Sequence, residues 1–150
     1  MTDIKSAAER SKNMSAITRA DTKPELFIRK LLFSAGYRYR IQKKEIPGHP
    51  DIWMKRYNLV IFVNGCFWHR HQGCRLAYTP KSHTDFWNTK FHKNIQRDKL
   101  VREQLKQRNI RCLTIWECSI RKAQKKSGDP QQLINAIENF IKSDKQSGEI

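Results

Sequence analysis

The five residues Leu59, Val60, Ile61, Phe62 and Val63 form an unbroken apolar run of β-branched and aromatic types, the pattern of a strand covered on both faces. Other segments arrange themselves around it. Upstream, Thr22-Lys23-Pro24-Glu25 has the spacing of a capping box, and Leu26, Phe27, Leu31 and Leu32 continue a helical stripe that Gly36 can stop. Tyr37 to Gln42 alternates as a half-exposed strand does. Pro47-Gly48-His49-Pro50 then turns the chain into Ile52-Trp53-Met54, and Lys55 to Asn58 closes a hairpin onto the central run. That hairpin brings Asp51 near the far end of Leu59–Val63.

Downstream, Phe86, Trp87, Phe91, Ile95, Leu100, Val101 and Leu105 recur at helical intervals between Phe86 and Asn109, with Asp98 interrupting a basic face. Ile110 to Trp116 is a second strand pattern. Reached through a helical crossover, it should lie parallel to the first. Asp129-Pro130 begins a last helix with Leu133, Ile134, Ile137, Phe140 and Ile141 on one face. The order of elements argues an α/β fold, a mixed β-sheet flanked on both faces by helices. Residues 1–20 read as a basic N-terminal arm, 21–143 as a single domain, and 144–150 as a disordered tail. Trp53, Cys112 and Trp116, inside strand patterns, read as core.

The length of 150 residues suits one domain with a core of its own. Charge adds a partner class: 30 Lys and Arg against 14 Asp and Glu give +16 and a pI near 10.1, spread along the chain. Such a field concentrates polyanions, and aromatic residues lie among the basic ones, so nucleic acid ranks above a membrane surface. The N-terminus lacks the apolar segment of a secretory leader, and no run approaches bilayer length, which predicts a cytoplasmic protein. In a reducing compartment, Cys66, Cys74, Cys112 and Cys118 read as metal ligands or core thiols rather than bridges.

Immediately after the central run, Asn64 and Gly65 break the pattern, and Cys66, His69, His71 and Cys74 follow with Phe67 and Trp68 between them. Two thiolates and an imidazole in one loop, with Cys118 from a later strand end, suit a structural zinc site, with His69 or His71 as the nitrogen ligand. Pro50-Asp51 before a buried strand looks like the opening of a Pro-Asp…Asp/Glu-x-Lys nuclease arrangement, although Phe62 and Asn64 stand where the second acid and lysine would be expected. One carboxylate can hold Mg²⁺ if a carbonyl, waters and substrate phosphates complete the octahedron. His69 is then a candidate base. Phe67 and Trp68, in a polar loop where burial is hard to arrange, read as a wedge for stacked bases.

Ser11-Lys12-Asn13-Met14, Pro47 to Asp51, Val60 to His69, Phe86-Trp87, Lys93 to Asp98 and Ile115 to Cys118 together resemble the very short patch repair (Vsr) endonucleases, in the same order over most of the chain. The resemblance implies a restriction-endonuclease-like fold. It also implies a Mg²⁺-dependent nick 5′ of a thymine mispaired with guanine, the lesion left by deamination of 5-methylcytosine. On the same basis Asp51 and the Val63 carbonyl would hold Mg²⁺, His69 would serve the hydrolysis, and Glu25 and Asp98 would assist it. Zinc would take Cys66, His71, Cys74 and Cys118. Phe67, Trp68 and Trp87 would wedge beside the mismatch, Met14 would approach from the opposite groove, and Lys90 and Asn94 would contact the mispair.

Asn64 stands where that family commonly has histidine, and the loop from Arg70 to Gly73 differs in length and composition from some relatives. The partners expected are double-stranded DNA with a T:G mismatch and no membrane, for a monomer, with other mismatch-repair proteins as further candidates. Two other readings compete: a restriction-type endonuclease that cuts both strands, and a non-catalytic zinc-stabilised DNA-binding module.

Overall fold

A computed structural model describes residues 21–150. The expected N-terminal arm, with Met14, lies outside the described residues. Helix α1 (Lys23–Ser34) starts where the capping box predicts, with the Glu25 N–H donating to Thr22 Oγ1 at 3.4 Å and Pro24 in the first turn. Strands β1 (Arg40–Ile41), β2 (Ile52–Met54) and β3 (Leu59–Asn64) form an antiparallel meander. A 3₁₀ turn at Lys55–Tyr57 joins the last two, with Asn58 in the left-handed region at φ 51°. The 24-residue helix α2 (Thr84–Gln107) then crosses to β4 (Arg111–Trp116), which pairs parallel with β3 over six residues, from Leu59↔Arg111 to Asn64↔Trp116. Helices α3 (Glu117–Gln124) and α4 (Pro130–Lys142) and strand β5 (Ser147–Glu149) complete the chain.

The sheet order is β1-β2-β3-β4-β5, mixed as expected. Successive side chains of β3 point to opposite faces. Leu59 and Ile61 therefore join Leu113 and Ile115 in a core covered by α1, α3 and α4, where Ile28, Leu32, Ile120 and Ile137 are fully buried. Val60 and Cys112 face the other side, under Leu105 and Val101 of α2. Both faces of the central strand are thus covered, which is why it needs no polar alternation.

Two local expectations differ from what is observed, and one helix carries no sequence expectation. The strand over Tyr37 to Gln42 is only Arg40–Ile41 long, because its partner β2 offers only three residues and Gln42 turns away at φ 51°. Helix α3 has no strong signature in sequence: Ile120 and Ala123 are its only buried residues, and it begins directly on the last residue of β4. The tail is corrected most. Instead of disorder over 144–150, β5 adds a parallel edge strand to β4, and the Ile150 N–H donates to the Thr114 carbonyl at 2.9 Å. Backbone pairing and tight contact carry this strand. A Cβ on Gly148 would lie 2.7 Å from the Phe140 ring, so only glycine lets the strand approach α4. The Arg111 guanidinium ties the same corner, donating to the Phe140, Ile141 and Ser143 carbonyls at 2.7, 3.2 and 2.9 Å.

Candidate active site and metal centre

One stripe of α2 organises the functional end of the molecule. Phe91, Asn94, Asp98, Val101 and Leu105 recur every three or four residues, and so share a face. Leu105 closes the core and Val101 packs on the turn before Asp51. Gly48 in that turn has φ +80°, and a Cβ there would lie 2.5 Å from Val101, so the loop is pressed against the helix. One helical turn back, Asp98 Oδ2 lies 2.7 Å from His69 Nδ1. Asn94 Nδ2 donates to the Trp68 carbonyl at 3.0 Å, and Phe91, 5% exposed, sits under the aromatic loop.

Asp51 precedes β2 and accepts the Val63 N–H on Oδ2 at 2.7 Å. In an antiparallel ladder the N–H and carbonyl of a residue lie on the same edge, so the Val63 carbonyl also faces the β2 side. Counting on from the pair Ile52↔Ile61, the residue opposite Val63 is Pro50, which has no N–H to give that carbonyl. A carboxylate and a main-chain oxygen with free acceptor capacity therefore meet at the end of the buried strand.

Burial pushes the Asp51 carboxyl up to about 7. The Val63 N–H works against the shift and the Glu25 carboxylate adds to it, while the charges of Arg29 and His69 lower it. Glu25, Arg29, Asp51 and His69 thus share one electrostatic neighbourhood. Glu25 is 3% exposed, and burial raises its own carboxyl despite the Asp21 N–H at 3.1 Å and the Arg29 guanidinium at 3.2 Å. Two neighbouring acids, all-oxygen donors and few counter-charges suit a hard divalent cation such as Mg²⁺.

The thiol cluster suits a different ion. One ligand atom from each of Cys66, His71, Cys74 and Cys118 lies within 4.8 Å of every other. His71 Nδ1 is 3.5 Å from both Cys66 Sγ and Cys118 Sγ. Tetrahedral zinc, with Zn–S about 2.3 Å and Zn–N about 2.1 Å, separates sulfur from nitrogen by about 3.6 Å. Of the two candidate histidines, His71 turns to the thiols and His69 to Asp98. Burial pushes the Cys66 thiol up to about 12 and Cys118 adds to the shift, so thiolates here require a cation beside them. The His71 ring is held against Trp116, stacked at 4.1 Å and 5°.

The aromatic residues form a cluster. Phe67 lies at its centre, 5.0 Å from Trp68, 5.1 Å from Tyr78, 5.4 Å from Trp87 and 5.2 Å from Phe91. Phe67, Trp68 and Trp87 are half-buried, and Phe86 beside Trp87 is 60% exposed. A polar loop makes burial of Phe67 and Trp68 hard to arrange, and the fold half-buries them against one another. The Lys90 ammonium sits 5.8 Å from the Trp68 ring, and Asn94, besides binding the Trp68 carbonyl, accepts from Arg97 at 3.3 Å.

Sequence reasoning missed Arg29, Arg70 and Glu117. Glu117 accepts the Cys66 N–H at 3.4 Å while pairing with Arg121 at 2.7 Å. Its place beside Cys118 was the only signal. Nothing local marks Arg29 or Arg70 among thirty basic residues.

Residues 2–75 match the family described as DNA mismatch endonuclease Vsr. The chain is 37% identical over all its 150 residues to DNA mismatch endonuclease Vsr of Escherichia coli (strain K12), covering 94% of that protein. It is 41% identical over 121 residues to Type II nicking enzyme V.NmeAIP of Neisseria meningitidis serogroup A, an overlap of 81% of this chain and 86% of that one. To Type II nicking enzyme V.XorIIP of Xanthomonas oryzae pv. oryzae it is 41% identical over 120 residues, 80% of this chain and 88% of that one. Such identity, sustained along a chain whose fold gathers these acids, histidines and thiols at one end, means that it belongs to the Vsr family of DNA mismatch endonucleases and is a DNA endonuclease.

Proposed function

We propose that this enzyme nicks one strand of duplex DNA on the 5′ side of a thymine mispaired with guanine, using Mg²⁺ at Asp51 and the Val63 carbonyl. The observation that carries the reading is the convergence at one sheet end of Asp51, which accepts the Val63 N–H, and His69, which Asp98 holds at 2.7 Å. With its Nδ1–H donated to Asp98, His69 keeps Nε2 as an acceptor, the form in which imidazole takes a proton from an attacking water. A bound Mg²⁺ supplies charge stabilisation at the phosphate. Glu25, fixed by the Asp21 N–H and Arg29, adds an acceptor for the waters that complete such a site.

Zinc at Cys66, His71, Cys74 and Cys118 is structural in this reading, because four protein ligands leave no open position. It fixes the loop that bears both His69 and the aromatic cluster. Phe67, Trp68 and Trp87 then unstack the mispaired step, which costs a few kcal/mol and least where pairing is already weak. Lys90, one turn of α2 from Trp87, is suited to the adjacent phosphate or base edge.

The test is nicking of end-labelled duplexes that differ only by T:G or T:A, with Mg²⁺, by wild type and Asp51→Asn. Wild type should nick the thymine strand of the T:G duplex much faster than that of the T:A duplex, and the variant should lose at least about a thousandfold in rate, since a metal ligand acts in the transition state. Cleavage of both strands, or equal rates on T:G and T:A, would establish the restriction-type reading instead. Retained nicking by Asp51→Asn would remove Asp51 from the chemistry.

A further inference from the structure

A metal held by Cys66, His71 and Cys74 would pin the loop there, but the segment just beyond, 75–79, carries Tyr78 against Phe67 with no candidate ligand to hold it. Arg70 does what a metal there would not. Its guanidinium donates to the Phe67 carbonyl at 3.4 Å, the Ala77 carbonyl at 2.9 Å, the Tyr78 carbonyl at 3.0 Å and Thr79 Oγ1 at 3.1 Å. The same group lies 3.9 Å over the Phe91 ring and 5.7 Å from that of Phe67. Every one of these partners is neutral, so Arg70 serves no ion pair among the described residues. Its backbone sits at φ +54°, a conformation that costs a non-glycine residue about 1 kcal/mol or more and persists only where contacts over-determine it.

Only a planar fork can make this arrangement. Five N–H donors fixed in one plane reach both ends of the loop while the flat face lies on an aromatic ring, whereas an ammonium offers a single point of charge.

We propose that Arg70 is a positioning residue for mismatch recognition: by bridging Phe67 to Ala77–Thr79 over Phe91, it holds Phe67 and Trp68 in the orientation that discriminates a mispaired step. The proposal rests on the mismatch-nicking reading above and adds a residue to it.

The test compares full-length wild type, Arg70→Lys and Arg70→Met. Zinc content and thermal midpoint establish that each is folded and loaded. Single-turnover nicking on T:G and T:A duplexes gives discrimination, a 2-aminopurine beside the mispair reports unstacking, and acrylamide quenching of tryptophan emission reports the platform without DNA. With zinc retained, both variants should lose about tenfold or more of the T:G preference, about 1.4 kcal/mol. Both should also show a weaker aminopurine rise and stronger quenching, while Arg70→Lys binds the T:A duplex as wild type does.

Unchanged discrimination in both variants would overturn the proposal, as would full rescue by Arg70→Lys, which would reduce the effect to charge. Loss of zinc together with discrimination would reduce it to support of the metal loop. A wild-type enzyme without T:G preference would overturn the parent reading as well, and is seen in the wild-type reactions alone.

Discussion

Replacing Asp98 by asparagine tests whether the carboxylate acts through His69. The contact at Nδ1 is 2.7 Å, short enough for a charge-assisted bond, and both side chains are about three-quarters shielded from solvent, at 25% and 21% exposure. A hydrogen bond to an ionised group contributes about 1.5–3 kcal/mol, and partial exposure places this one toward the lower end. Lost from the transition state, that is about a 10- to 30-fold slower nick. If the asparagine presents Nδ2 rather than Oδ1 to the ring, it forces the opposite tautomer and the loss grows. Single-turnover nicking of a T:G duplex at saturating enzyme and Mg²⁺ isolates the step, and anisotropy should show unchanged DNA binding. The decisive measurement is the same substitution made in His69→Ala, where it should change the rate by less than about twofold because the residue it positions is gone. Equal losses in both backgrounds would refute the coupling; no loss in either would remove Asp98 from the mechanism.

Three other outcomes are expected. Chelation, or Cys118→Ser, should release one zinc and open the segment after Cys66 to limited proteolysis while far-UV circular dichroism stays near native, because the main core draws on α1, α3, α4 and the sheet. Arg111→Ala should lower stability by about 3 kcal/mol in urea unfolding, since charge-assisted bonds to three carbonyls are lost together and β5 loosens. Burial pushes the Cys112 thiol from 9.0 up to about 11. Because the folded value is the higher, its contribution is intact below pH 9 and is lost as pH rises through 11, about 2–3 kcal/mol in all. Urea midpoints of wild type should therefore fall between those limits more steeply than those of Cys112→Ala, and parallel curves would contradict the assignment.

Periodicity was informative wherever burial is one-sided or complete. The helix opened by Thr22, the apolar run of β3, the hairpin before it and the parallel return of β4 were all legible, because each pattern reports a covered surface. It failed at α3, whose buried face is two residues, and at β5, whose sequence Ser147-Gly148-Glu149 carries no apolar signal and is held by backbone pairing. A ladder of main-chain bonds leaves no mark on side-chain composition.

The chemistry divides in the same way. Residue types and spacing were enough to place Asp51 at the mouth of the central strand and to mark a thiol-imidazole loop able to hold a soft metal ion, since ligand softness belongs to the side chain itself. Which histidine faces which partner was open until the loop closed, with His71 Nδ1 between two sulfurs and His69 Nδ1 on Asp98. Arg70 could not be picked out among the chain's many cations, because a guanidinium acquires its role from carbonyls brought round by folding rather than from its neighbours in the chain. Contacts between residues close in sequence are written in the pattern; those made by closing a loop exist only once the chain has folded.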